Sequence, residues 1–215
     1  MVTIVLILSD IHSQRITLEN ILQRAEEIIT QSFIVLIAGD ITNFDTIENM
    51  ASLLELVSEY SSKIYFVFGN CDPYYDADKL RTKSIHIESN PQSYEGITFV
   101  GFGSASPQVN HKVLRKLKKR EEKVCLLTHV PPYGTNADTV SLNKHVGSKE
   151  VRKLLETYSN IFLSVSGHIH ESPTISSLGD CFTINPGSVT RGYFAIIEID
   201  EDYKIQGNIY NIHEL

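Results

Sequence analysis

Short apolar runs alternate with stretches in which apolar residues recur every three or four positions. This strand and helix alternation predicts an α/β fold rather than an all-β sandwich. Residues 2–8 and 33–38 read as buried strands, separated by a helix over 16–29 whose Ile21, Leu22, Ala25, Ile28 and Ile29 share one face. A second helix is predicted over 45–60, opening on Asp45-Thr46-Ile47-Glu48 as a cap with an acid three residues on. A third strand follows at 63–68. Because helices intervene, these three strands are expected to run parallel with right-handed crossovers.

Beyond residue 70 the pattern changes. Short strands at 85–87 and 97–102 precede a basic amphipathic helix over 109–120, and a strand at 124–127 runs into Thr128-His129. Residues 131–147 read as a long loop, and loops beyond about 12 to 15 residues without secondary structure of their own are usually functional or disordered. A helix at 148–158, a strand at 161–165 and three strands between 182 and 210, broken at Asn185-Pro186-Gly187 and Asp200-Glu201-Asp202, complete the pattern. No repeat or low-complexity linker intervenes, and 215 residues fit one domain spanning 1–215.

A composition of 42% hydrophobic and 21% charged residues excludes collagen, coiled coil and disorder. Nineteen basic against 26 acidic residues leave a net charge of −7, which repels polyanions at long range. Any phosphate must therefore be held locally, and nucleic acid enters only as a substrate. The longest apolar run, Ile4-Val5-Leu6-Ile7-Leu8, is far shorter than the roughly 20 residues of a membrane span. It leads into Ser9-Asp10 rather than a small-residue cleavage site, so neither a membrane segment nor a secretory leader is expected. Cys71, Cys125 and Cys181 are odd in number and lack C-x-x-C spacing, which argues for a reducing cytoplasm; Cys125 and Cys181, inside apolar strands, read as packing.

The chemistry lies just past the strand ends, where an open α/β sheet gathers its ligands. Asp10 and His12 follow the first strand, Gly39-Asp40 the second and Gly69-Asn70-Cys71-Asp72 the third; His129 and Gly167-His168-Ile169-His170 follow two later ones. Five strand ends thus supply seven oxygen or nitrogen ligands. Carboxylates bring charge and can bridge two cations, while neutral imidazoles and an amide oxygen complete the shells. Such a mixed set suits Mn, Fe, Zn, Ni or Co better than Mg or Ca. In D-x-H and H-x-H, side chains two apart on an extended segment point the same way, so both are expected to reach one centre.

This ordered series resembles the calcineurin-like metallophosphoesterase family. Thr128-His129-Val130-Pro131-Pro132-Tyr133-Gly134 and His145-Val146-Gly147-Ser148 are similar to a small, phosphodiesterase-like branch of it. The resemblance implies a four-layer αββα sandwich, two central mixed sheets flanked by helices, with a binuclear metal centre between strand ends. It implies one metal on Asp10, His12, Asp40 and His170 and the other on Asp40, Asn70, His129 and His168, with Asp40 as the bridge. The implied reaction is hydrolysis of a small phosphate ester, a diester before a monoester, by attack of a metal-bridging hydroxide, with a phosphomonoesterase or a small nuclease of the same fold as the alternative. Asn70, His129 and His145 are the expected substrate contacts. Members of the family are often dimers or larger. A metal-binding scaffold is the other class of function, since a retromer subunit of this fold acts through protein contacts after losing part of its metal set. Here all seven ligands remain.

At one position this chain departs from the commoner family pattern. Cys71 stands where most members have a histidine that protonates the leaving oxygen, a step typically worth about 10² to 10⁴ in rate. Cys71 is either a poor or ionised acid beside the cations or a small packing residue. His145, in the long loop, is either a surface histidine or the group that clamps a phosphoryl oxygen or donates the missing proton. Asn185-Pro186-Gly187-Ser188 resembles a segment at the family's active-site rim but has the composition of a turn. Arg191 either neutralises a substrate phosphate or, as an isolated Arg usually is, lies on the solvated surface. The seven basic residues within 112–123 read as a solvated helix face, and His86, His111 and His213 lack partners at ligand spacing.

Overall fold

The computed structural model of the protein describes residues 2–88, 90–104 and 111–214. In chain order the strands are β1 (Thr3–Leu8), β2 (Ile34–Ile37), β3 (Ile64–Phe66), β4 (Ile85–His86), β5 (Gln92–Tyr94), β6 (Ile97–Phe102) and β7 (Lys123–Thr128). They continue as β8 (Thr139–Val140), β9 (Lys144–His145), β10 (Ile161–Val165), β11 (Thr174–Leu178), β12 (Cys181–Asn185), β13 (Tyr193–Ile199) and β14 (Ile205–Asn211). The α-helices among the described residues are α1 (Arg15–Ile28), α2 (Ile47–Ser58), α3 (His111–Lys119) and α4 (Lys149–Thr157).

One sheet has the order β14-β13-β1-β2-β3-β4 and the other β11-β12-β10-β7-β6-β5. Strands β1 to β4 run parallel, as expected for the first three, and so do β6, β7, β10 and β12; the remaining pairings at the sheet margins are antiparallel. Side-chain alternation along the strands sorts the apolar residues into three packed clusters. On β1, Ile4, Leu6 and Leu8 face Leu18, Leu22, Met50 and Leu54 of α1 and α2. Val5 and Ile7 point the other way, against Phe99, Cys125, Leu127 and Leu163 of the second sheet. That sheet's outer face packs Val100, Leu126 and Cys181 under Leu114 and Leu117 of α3 and Val151 and Leu154 of α4. The layers are therefore helix, sheet, sheet and helix, the expected αββα sandwich. Each fully buried Leu, Ile or Phe contributes about 2 kcal/mol to holding it closed.

Three local features differ from the expectation. Thr46, not Asp45, caps α2: its hydroxyl accepts Asn49 N–H at 3.2 Å, while Asp45 bonds the Thr46 N–H at 2.7 Å. The margin strands β5 and β11 replace segments with no strand signal, and β8 and β9 pair inside the long loop. Of the helix expected over 109–120, residues 109 and 110 lie outside the described residues. No helix among the described residues is long and apolar enough to cross a membrane.

Candidate metal centre

Strands β1, β2 and β3 of one sheet and β7 and β10 of the other end on a common edge, and the seven candidate ligands follow those ends. Asp10, Asp40 and His129 are buried, His12, His168 and His170 half-buried, and Asn70 exposed. Asp10, His12, Asp40 and His168 all have left-handed backbone, with φ of 54°, 46°, 51° and 69°. Non-glycine residues pay about 1 kcal/mol or more for that conformation, and such strain clusters at functional sites. The segments carrying the ligands are thus sharply turned rather than extended.

That geometry corrects the reading of H-x-H. Asp10, His12 and His170 form one group of mutually close ligand atoms, whereas His168 joins Asp40 and His129 in another. His168 is diverted by its left-handed backbone and by its N–H bond to Asp10 Oδ2 at 2.9 Å. The side chains of D-x-H do come together, through tight turns instead of strand alternation. The two groups adjoin at Asp40, whose Oδ2 stands 3.4 Å from His129 Nε2 and 3.8 Å from His12 Nε2.

The donor set fits cations. His129 Nδ1 donates to the Ala38 carbonyl at 2.8 Å, which leaves Nε2 aimed at Asp40 Oδ2, at Asn70 Oδ1 (3.0 Å) and at His168 Nδ1 (3.1 Å). A carbonyl can only accept, so the tautomer is fixed and the lone pair of neutral Nε2 faces two oxygen acceptors. In the other group His12 Nε2 and His170 Nε2 approach to 3.4 Å, and His170 Nε2 lies 3.1 Å from Asp10 Oδ1. Asp10 Oδ1 is buried yet takes no well-directed hydrogen bond. Clustered acceptors with so few donors call for positive charge.

The electrostatics agree. Burial alone would raise the Asp40 carboxyl, but His129 and the Cys71 N–H, 2.8 Å from Oδ1, hold it down to about 2. Burial would lower His129, and the Asp40 and Asp10 carboxylates with the Ala38 carbonyl raise it to about 9. Asp10 raises His170 against burial, while burial and the charge of His129 lower His168. The same negative charge that draws a proton to His129 draws a cation, which must displace that proton.

Supporting residues include several with no sequence signal of a role. Ser9 Oγ donates to Asp10 Oδ2 at 2.6 Å, and Ser188 Oγ to the Asp10 carbonyl at 3.0 Å. The buried Asp72 carboxylate accepts N–H groups from Thr42 and Gly69, at 2.7 and 2.8 Å. A Cβ on Gly69 would lie 2.0 Å from Asp40 Oδ1, so only glycine lets these two loops meet. Asn185 joins the carbonyls of Ala137 and Ile169, and with Ser188 it makes its segment a brace of the site rather than a plain turn. Arg191 donates to the His170 carbonyl at 3.3 Å.

Cys71 lies at the centre: its thiol belongs to a group with His12 and Asp40 and takes the Asn70 amide at 3.2 Å. Burial, then Asp40, Asp72 and Asp10, pushes the thiol up to about 12. His145 makes none of the contacts that join the seven. Its Nδ1 lies 2.7 Å from Asp138 Oδ1, and Asp138, fully buried, also accepts N–H groups from Gly134, Thr135 and Gly147. Asn185 ties this loop, at Ala137, to the residue between His168 and His170.

The sequence pattern of the calcineurin-like phosphoesterases matches residues 4–172, and the chain belongs to that family. An uncharacterised protein of Methanocaldococcus jannaschii is 34% identical over 177 residues, covering 75% of this chain and 79% of that one. A crystallised Thermus thermophilus protein superposes with a TM-score of 0.71 at 17% identity, covering 99% of this chain and 100% of its own. A dimetal phosphatase from Danio rerio superposes at 0.69 with 12% identity, covering 98% and 96%. Both structural likenesses bear out the fold. Family membership implies a metal-dependent phosphoester hydrolase.

Proposed function

We propose that this protein is a phosphodiesterase acting on small esters with two divalent cations. Asp10, His12, Asp40 and His170 would hold one, Asp40, Asn70, His129 and His168 the other, and Asp40 would serve both. The observation that carries this reading is the pair of ligand groups adjoining at Asp40, with the buried Asp10 Oδ1 facing His170 Nε2 in one and a tautomer-fixed His129 in the other. The Danio rerio neighbour, a dimetal phosphatase, is consistent with it. Bound cations would supply water activation and neutralise charge on the attacking and leaving oxygens. The imidazole-rich shells favour Mn, Fe, Zn, Ni or Co over Mg and Ca.

The chain's own groups divide the remaining work. Ala38 and Ser9 orient His129 and Asp10 from outside the shells. Asn70 and His129 would contact the phosphate as well as the metals. Cys71 lacks an imidazole's capacity to protonate a leaving oxygen, which favours esters with good leaving groups. His145, oriented by Asp138 and leaving Nε2 free, supplies a proton or a phosphoryl contact from the loop. A diester carries less charge than a monoester dianion, which suits a chain of net −7. Three free, buried cysteines favour a reducing cytoplasm.

The test is hydrolysis of bis(4-nitrophenyl) phosphate and 4-nitrophenyl phosphate by metal-reconstituted protein. Faster turnover of the diester, abolished in Asp40→Asn, supports the reading. Faster monoester turnover makes the protein a phosphomonoesterase, preference for short oligonucleotides makes it a nuclease, and metal binding without turnover makes it a scaffold.

A further inference from the structure

Among the described residues seven large apolar side chains are exposed, and six lie in segments that follow a candidate ligand or carry His145. Ile16, Phe44 and Tyr74 each lie four positions after a ligand, His12, Asp40 and Asn70, and Tyr75 follows directly. Leu142 and Val146 flank His145 in the long loop. The seventh, Val2, precedes β1 at the far end of the sheet. Single exposed hydrophobes are ordinary, but their recurrence in the segments that carry the candidate site residues is not.

The backbone holds two of them, Phe44 and Leu142, outward at a cost. Phe44 is 78% exposed with φ at 55°, and Leu142 is 100% exposed with φ at 65°. A bulky residue in left-handed backbone is an outlier, and here the strain is accompanied by no burial that would offset it. Phe44 is tied to the site through its N–H, which donates to the Cys71 carbonyl at 2.9 Å. Tyr74 N–H donates to the Asp72 carbonyl at 2.9 Å, and the Tyr74 and Tyr75 rings meet edge to face at 5.5 Å. Three aromatic rings are thus anchored to the loops that carry Asp40 and Asn70.

We propose that Phe44, Tyr74 and Tyr75 form a stacking collar for a planar ring on the substrate, so that the preferred esters are nucleoside-type phosphodiesters of mononucleotide size. This rests on the phosphoesterase reading above and names its substrate class. Aromatic side chains stack any base, because every base has a π-face. A polynucleotide is disfavoured by the net charge of −7, as is an anionic membrane surface. A second copy of the chain is disfavoured by the polar Ser13, Asn43 and Asp45 between the apolar members, bonded at 3.3 Å from Asn43 N–H to Ser13 Oγ and 3.4 Å from Ser13 Oγ to Asp45. Interface cores are depleted of charge, whereas a ring needs only one or two faces.

The experiment compares two esters with one leaving group, thymidine 5′-(4-nitrophenyl) phosphate and methyl 4-nitrophenyl phosphate, on metal-loaded full-length protein. The wild type should favour the nucleoside ester in kcat/KM by about tenfold or more, and Phe44→Ala and Tyr75→Ala should each cut that ratio by at least about threefold. Val2→Ala, at the far end, should leave the ratio unchanged. A wild-type ratio near one, or a ratio unmoved in both variants, overturns the collar. So does self-association in sedimentation that Phe44→Ala abolishes, or flotation with phosphatidylcholine vesicles that it abolishes. If neither ester turns over, the phosphoesterase reading fails, and calorimetry of thymidine 5′-phosphate against methyl phosphate judges the collar: about tenfold tighter nucleotide binding supports it and equal binding overturns it.

Discussion

Asp72 Oδ1 accepts both the backbone N–H of Thr42, at 2.7 Å, and its hydroxyl, at 3.0 Å, joining the loop that carries Asn70 to the loop that carries Asp40. Gly69 N–H donates to the other carboxylate oxygen at 2.8 Å. Asp72→Ala leaves the N–H groups of Thr42 and Gly69 without their acceptor in a buried place and the Thr42 hydroxyl with only the Cys71 carbonyl at 3.3 Å. It should cost about 3 kcal/mol of stability in urea unfolding of metal-free protein, and weaken metal retention by roughly 10-fold or more. Full stability together with full metal content would show that the carboxylate does not brace the loops.

Chelation should destabilise the protein, because the ligand atoms converge only in the folded chain. Readdition of Mn²⁺ at a thousandfold excess over Kd should restore about 4 kcal/mol. Asp40→Asn, which reduces the charge shared by both ligand groups, should lower metal content at both and cut kcat by more than about 10²-fold. Metal analysis by plasma emission and a melting curve check both; unchanged metal content in Asp40→Asn would refute the shared role.

Cys71 is buried among carboxylates, and its thiol is pushed up to about 12 by burial, then by Asp40, Asp72 and Asp10. Cys71→His should therefore speed hydrolysis of esters with poor alkoxide leaving groups by up to roughly 10², while activated aryl esters change little. Brønsted plots of rate against leaving-group pKa make the comparison. Equal effects on both classes would return Cys71 to simple packing.

His145→Ala should lower turnover more for poor leaving groups than for 4-nitrophenol, and Asp138→Asn should do the same less strongly. A metal ligand's loss would not discriminate in this way. Unchanged turnover and affinity for every ester would leave His145 as a surface residue.

Acid should unmask Asp138. Burial alone would raise its carboxyl, but His145 and the N–H groups of Gly147, Gly134 and Thr135 hold it below the ordinary range. A carboxyl lowered on folding from about 3.9 stabilises the fold above that pH, and the contribution disappears as pH falls through the folded value. The stability gap between wild type and Asp138→Asn should stay level from about pH 7 to 5 and close below about pH 4. A gap that persists to pH 2 in urea titrations would contradict this.

Much of the fold is legible because buried parallel strands are continuous apolar runs, as in residues 4–8 and 34–37, and because amphipathic spacing marks α1 and α2. The margin strands β5, Gln92–Tyr94, and β11, Thr174–Leu178, escaped because they pair on one side only and carry polar residues that a turn would carry equally well. The family and the seven ligand types were likewise readable, since each motif is local in the chain. What tertiary structure alone decided is direction. Left-handed backbone at Asp10, His12, Asp40 and His168 aims the side chains, which is how His168 and His170, two residues apart, come to lie in the different groups that the family resemblance implies. The partners Ser9 and Thr42, and the exposed aromatic residues, are ordinary residues whose meaning comes from loops of distant sequence meeting at one sheet edge. Composition and spacing carry no record of such long-range contact, because it is the packing of two sheets that creates it.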